Sequence, residues 1–138
     1  MKPLLFFLFL PFIGYCQPMS LDIMMEWFKH RKQDSILISE IRSFGYKELS
    51  NKNEVITFEG PQSGFRLFYK NGEIDGIGYL TRDSSTYASW PDLLLEKEFF
   101  HYDSKPRYEA WLGKTCQALI YRDDEIYSLF IIKKSDDD

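Results

Sequence analysis

The chain has 138 residues, 44% of them apolar and 17% aromatic, with two cysteines and a formal net charge of −4 at pH 7. That length suits one folded domain, and 24 aromatic side chains (12 Phe, 9 Tyr, 3 Trp) supply large buried area to it. The acidic balance, with no basic cluster longer than His30-Arg31-Lys32, argues against a nucleic-acid partner, which needs a basic stripe.

Lys2 precedes an apolar run over residues 4–10 that continues past Pro11 through Phe12 and Ile13 and ends in Gly14-Tyr15-Cys16-Gln17. An apolar core of about ten residues is half of what spans a bilayer, and the small residues Gly14 and Cys16 suit a signal-peptidase cut before Gln17. Residues 1–16 are therefore expected to be a secretory signal peptide, and the mature chain to be periplasmic or extracellular. In the alternative, Cys16 is the acylated first residue of a lipoprotein and the chain an envelope-anchored component; bulky Tyr15 before the cysteine argues against this. The short signal ending in Cys-Gln resembles those of exported Bacteroidota proteins. Cleavage leaves Cys116 as the sole thiol, so no intramolecular disulfide is expected, and nothing beyond residue 16 is long and apolar enough to enter a membrane.

A helix is predicted to open at Ser20, a good N-cap, with Leu21, Met24, Met25 and Phe28 recurring at spacings of three and four. His30, Arg31 and Lys32 fall in its last turn, where cations complement the helix C-terminus, and read as a solvated helix end. A second helix, capped by Asp34 or Ser35, runs to about Phe44 with Leu37, Ile41 and Phe44 on one face, and Gly45 ends it. The pattern leaves open whether these are two helices or one bent one. From Tyr46 the period turns toward two: a short extended lead-in, a turn over residues 51–53, then a strand over residues 54–59 with Ile56 and Phe58 on one face. Residues 60–64 form a loop by composition.

Residues 67–80 read as a β-hairpin centred on Asn71-Gly72, the pair that tolerates the positive φ of a type I′ turn. Tyr69 then faces Ile74, and Lys70 faces Glu73. On the same alternation Gly76 and Gly78 share a face with Leu67 and Phe65, leaving room for a helix or a neighbouring ring to approach. The polar stretch 83–86 is read as a joint between two halves, with Tyr87 in the linker. Trp90-Pro91-Asp92 then starts a helix carrying Leu93, Leu94, Leu95, Phe99 and Phe100. Extended structure resumes at Tyr102, a strand covers residues 109–112, and a second hairpin spans residues 119–132 with Asp123-Asp124 as its turn. Residues 136–138 are an acidic tail.

The second hairpin repeats the first, Tyr, basic residue, two-residue turn, Glu, Ile, at an offset of 52, and the strands before it match at 53, Phe58 with Trp111 and Gly60 with Gly113. Residues 35–46 match residues 91–102, pairing Phe44 with Phe100. The expected fold is thus α+β: a single domain over residues 17–135 of two tandem α-β-β-β units, about 35–83 and 91–135, forming one antiparallel sheet with the helices packed on one face. Over residues 35–132 that layout is similar to the tandem repeats of periplasmic PepSY-like domains and of the secreted β-lactamase inhibitor protein, and the resemblance implies a binding module.

No catalytic set assembles. Cys116 and His101, the available thiol and imidazole, are not brought together by spacing, and no cluster has the ligand pattern of a zinc or calcium site. The glycines lie within strands and turns and form no phosphate loop. No cofactor is expected. Four residues stand out as interaction candidates: Tyr87 and Trp90 as aromatics near the joint, and Gly76 and Gly78 on the open strand face; for Trp90 the competing reading is a staple between its helix and the core. The expectation is a small secreted or periplasmic non-catalytic binding protein for a protein, peptide or glycan, the alternatives being a small hydrolase with an unrecognised site and the lipid-anchored envelope component.

Overall fold

The computed structural model describes residues 20–134. The expected signal peptide and the acidic tail lie outside the described residues. Helix α1 (Leu21–Lys29) begins where the Ser20 hydroxyl accepts the Ile23 amide at 3.2 Å, and it buries Leu21, Met24, Trp27 and Phe28. Residues 30–33 interrupt it, so α2 (Asp34–Ser43) is a separate helix. It buries Leu37 and Ile41, and Gly45 follows at φ +96°, the left-handed position expected of a glycine past a helix end.

Eight strands follow: β1 (Lys47–Lys52), β2 (Val55–Glu59), β3 (Ser63–Lys70) and β4 (Glu73–Thr81), then helix α3 (Ser84–Glu96), then β5 (Phe100–Lys105), β6 (Tyr108–Leu112), β7 (Cys116–Asp123) and β8 (Ile126–Lys133). They form one antiparallel sheet in the order β1-β2-β3-β4-β8-β7-β6-β5. Two four-stranded meanders thus lie side by side, joined where β4 pairs with β8. The mixed α/β class and the single antiparallel sheet agree with the expectation, with more of the chain in strand than the sequence suggested.

Several local readings are corrected. The polar stretch 83–86 is the start of α3: the Asp83 carboxylate accepts the Ser85 amide at 3.0 Å and the Ser85 and Thr86 hydroxyls at 2.7 Å each. Those hydrogen bonds hold its pKa below the usual carboxylate range. Residues that resemble a loop by composition are here a helix cap, and Pro91 lies inside the helix instead of opening it. The first turn is at Asn53-Glu54, both left-handed, so β1 reaches Lys52. In the second hairpin Asp123 pairs with Ile126, which moves its turn one residue on, to Asp124-Glu125.

The most consequential correction is in the first hairpin. Tyr69 pairs with Ile74 and Lys70 with Glu73 as expected, but Phe68 pairs with Gly76, leaving Asp75 as an extra residue in a β-bulge. A one-residue shift turns every later side chain to the other face. Gly76 and Gly78 therefore stand beside Phe68 and Arg66, not Leu67 and Phe65. The physical reason is that Ile74 and Ile77, three apart, are both buried against the helices, which strict alternation forbids.

The core fills the space between the helices and one face of the sheet, here called the inner face. Ile56, Leu67, Ile77, Ile131, Ala118 and Trp111 form one cross-strand row on it, all buried. Trp27 of α1 packs edge-on against Phe65 at 5.2 Å and donates its indole N–H to Glu40 of α2 at 2.8 Å. From α3, Trp90 meets Tyr79 at 6.4 Å, and Tyr87 stacks on Tyr127 at 4.4 Å. An ion pair between Lys97 and Asp22 ties the end of α3 to the start of α1.

Candidate functional site: an open aromatic sheet face

Because all three helices pack on the inner face, the outer face has no covering layer among the described residues. The pleat places Arg66 and Phe68 of β3, Gly76, Gly78 and Leu80 of β4, Phe130 and Ile132 of β8, Leu119 and Tyr121 of β7, and Tyr108 and Leu112 of β6 on it. A face left to solvent is ordinarily polar. This one also carries Thr57 and Glu59 of β2, Gln117 of β7 and Ser128 of β8, but its middle is apolar.

Gly78 organises it. It sits between Arg66 and Phe130 in the cross-strand row, and a Cβ there would stand 2.6 Å from the Phe130 ring and 3.4 Å from the Phe68 ring. The missing side chain lets Phe130 lie over β4 and meet Phe68 at a centroid distance of 5.6 Å. Gly76 plays the same part for Ile132, whose side chain is 2.9 Å from where a Cβ would be. From Phe130 the ring contacts continue to Tyr121 at 5.6 Å and on to Tyr108 at 5.1 Å. Tyr108 and Tyr102 share a hydrogen bond, and desolvation, with these tyrosines and Asp103 nearby, raises the Tyr108 hydroxyl above its ordinary pKa.

The result is a band of five aromatic side chains reaching from β3 to β5. Neighbouring rings are tilted by 52° to 81°, so they interlock edge to face and do not form a coplanar platform for stacking a flat ligand. At the β5 edge Phe100 is 57% exposed and Tyr102, the extra residue of a second bulge, 49% exposed.

The other candidates fall elsewhere. Trp90 is 2% exposed and belongs to the core, and Tyr87 is half-buried between it and Tyr127. Cys116 is buried and its thiol is pushed up by desolvation, opposite to the shift that activates a nucleophile. His101 faces Trp111 at 5.2 Å and Glu109 at 3.8 Å. Among the described residues no group of three or more metal-ligating side chains converges. A cleft of about 920 Å³ beside the first hairpin turn is lined by charges of both signs, including Arg31, Lys70, Glu73 and Asp75.

Sequence reasoning found the two glycines and allowed a neighbouring ring beside them, but it did not identify Phe130 and Phe68 as those rings or the face on which they lie. One signal was available: Leu129-Phe130-Ile131-Ile132 is a continuous apolar run, and a strand reads that way when both of its faces are apolar. The chain matches no family model, no curated protein and no solved structure, so its functional reading rests on its own residues.

Proposed function

We propose that this is a non-catalytic binding protein that docks a protein or peptide partner across the outer face of its sheet. The observation that carries this is the uncovered aromatic band from Phe68 through Phe130 and Tyr121 to Tyr108. Contiguous apolar surface of this kind is costly in water and marks interaction sites, and Tyr and Phe bring large contact area for little conformational entropy. The face is broad and open where enzyme pockets are concave, and the described thiol, Cys116, is buried on the opposite side of the sheet.

In this reading the protein acts after export, with residues 1–16 removed. It is also a duplication. Three register features support that: the bulges at Leu49 in β1 and Tyr102 in β5, fifty-three residues apart; the identical meander order on both sides of the sheet; and the pairing of Gly78 with Phe130, each other's counterpart at the repeat offset of 52. The two copies then meet about a pseudo-twofold axis at that pair, and the copies differ there, glycine against phenylalanine, which is what closes the aromatic band.

The test is affinity capture from envelope extracts with the wild-type protein and with a Phe130→Ser, Tyr121→Ser double variant whose melting is unchanged. Partner retained by the first and lost by the second is the expected result; equal retention by both, or none by either, would remove the outer face from consideration. Mass measurement of the exported chain should give an N-terminus at Gln17, whereas a diacylated Cys16 would assign it to the envelope-anchored class.

A further inference from the structure

Among the described residues one cation, Arg66, stands beside the aromatic band, and no carboxylate pairs with it there. Arg66 projects from the middle of β3 on the outer face, with Thr57 opposite it on β2, Gly78 on β4, and Phe68 two residues along. It is half-buried, and its Nε is shut off from solvent with no acceptor among the described residues. Glu59 is on the same face of β2, yet no ion pair forms between them, while eight other Arg, Lys and His side chains of the described residues stand within 4.0 Å of a carboxylate. A guanidinium has five donors in a planar fork matched to a carboxylate, and a desolvated charge without a partner is costly.

Beside Arg66 the outer face dips into a depression of about 320 Å³. Its sides include Leu49, Leu80 and Ile126, Gly64 adds no side chain to it, and Arg82, already paired with Glu125 at 3.6 Å, stands at its rim. The depression is open and shallow. A small molecule would keep most of its surface in water there, whereas a polypeptide lying along the aromatic band gains contact over its whole length.

We infer that Arg66 is the specificity element of the outer face and receives an acidic side chain of a polypeptide partner, with apolar residues flanking that acid seated on Leu80 and on the Phe68–Phe130 rings. This rests on the reading of the outer face as the docking surface and adds the chemistry of what docks. Bidentate pairing at a site already lined by apolar groups gives a preference for acid over amide, because an amide in the same place offers one acceptor and no charge.

The probe is an array of twelve-residue peptides with blocked termini, each with one central Asp or Glu between Leu, Val or Phe, beside twins carrying Asn or Gln. Wild-type protein should bind members of the acidic set at least about tenfold more tightly than their twins, Arg66→Gln should erase that difference, and Arg66→Lys should restore part of it, keeping charge without the fork. Equal binding of acid and amide twins by the wild type overturns the inference while leaving the outer face as the docking surface, provided Phe130→Ser weakens both sets. Absence of binding in either set overturns the inference together with the reading beneath it. A self-associated protein that Phe130→Ser makes monomeric also overturns it, the occupant then being a second copy. Should Arg66→Gln fail to fold, the acid-against-amide comparison on the wild type decides alone.

Discussion

A methyl group on Gly78 would stand 2.6 Å from the Phe130 ring, and the ring could leave only by giving up its contact with Phe68. Gly78→Ala should therefore cost about 1–3 kcal/mol by overpacking. In a Phe130→Ala background the same change should cost well under half as much, and urea denaturation of the four proteins of that cycle measures the coupling. Equal costs in both backgrounds would mean the ring is not what the glycine accommodates. A second residue-scale expectation concerns Tyr46, buried with its hydroxyl 2.7 Å from the Ser63 hydroxyl. Desolvation pushes its pKa from 10 up to about 12, partly offset by that hydrogen bond. A folded-state pKa above the unfolded one means that the unfolded chain ionises first. The associated stability, of order 2 kcal/mol, is fully present below about pH 10 and is lost as pH rises toward 12. Tyr46→Phe should flatten that alkaline decline in urea midpoints while costing about 1 kcal/mol at neutral pH through the lost hydrogen bond.

The first hairpin shows how an element can carry two instructions. Its turn is local: Asn71 and Gly72 both adopt positive φ, and the pairings on either side of them follow from two residues. Its bulge is tertiary, since Asp75 is set aside so that Ile74 and Ile77 both reach the core. Deleting Asp75 leaves Ile74, Gly76 and Ile77 in plain alternation, so that variant should fold cooperatively with its β4–β8 register intact. Deleting Gly78 turns Tyr79 and Thr81, both buried, outward, and should abolish the cooperative transition. Circular dichroism melts of the two deletions distinguish them, and equal tolerance of both would mean that the bulge does not set the register. Helix α3 makes a related point from the other direction. The four polar residues at 83–86 signal a break by composition, but Asp83 uses them to satisfy the free amides of a helix start.

At the scale of the molecule the described residues form two layers, helices and sheet, and none of them covers the outer face of the sheet. Leucines on opposite faces of two paired strands should therefore respond differently to the same truncation. Leu129, fully buried beneath the helices, should cost about 2–5 kcal/mol as Leu129→Ala, while Leu119, half-buried on the outer face of the next strand, should cost about 1 kcal/mol or less. If Leu119→Ala were as damaging as Leu129→Ala, the outer face would be packed as a second core. The same asymmetry bears on the proposed docking surface: most fully buried side chains lie on the inner face, so replacing single rings of the outer face should weaken partner binding more than it lowers stability.

What the sequence determined by itself was whatever depends on neighbours along the chain: the N-cap at Ser20, the glycine at the end of α2, the Asn-Gly turn with its two flanking pairs, the α+β class and the antiparallel sheet. These follow from dihedral preference and periodicity, which act over a few residues. What only the tertiary structure decided was which face each strand side chain occupies and which face is left uncovered. Gly76 and Gly78 were singled out correctly as places of close approach, but one bulged residue moved them to the other side of the sheet, where Phe130 and not a helix lies against the strand. A bulge is set by the competition of two isoleucines for one core, and a band of rings is assembled from strands far apart in sequence. Arg66 and the aromatic side chains around Gly78 come together only because β8 pairs with β4.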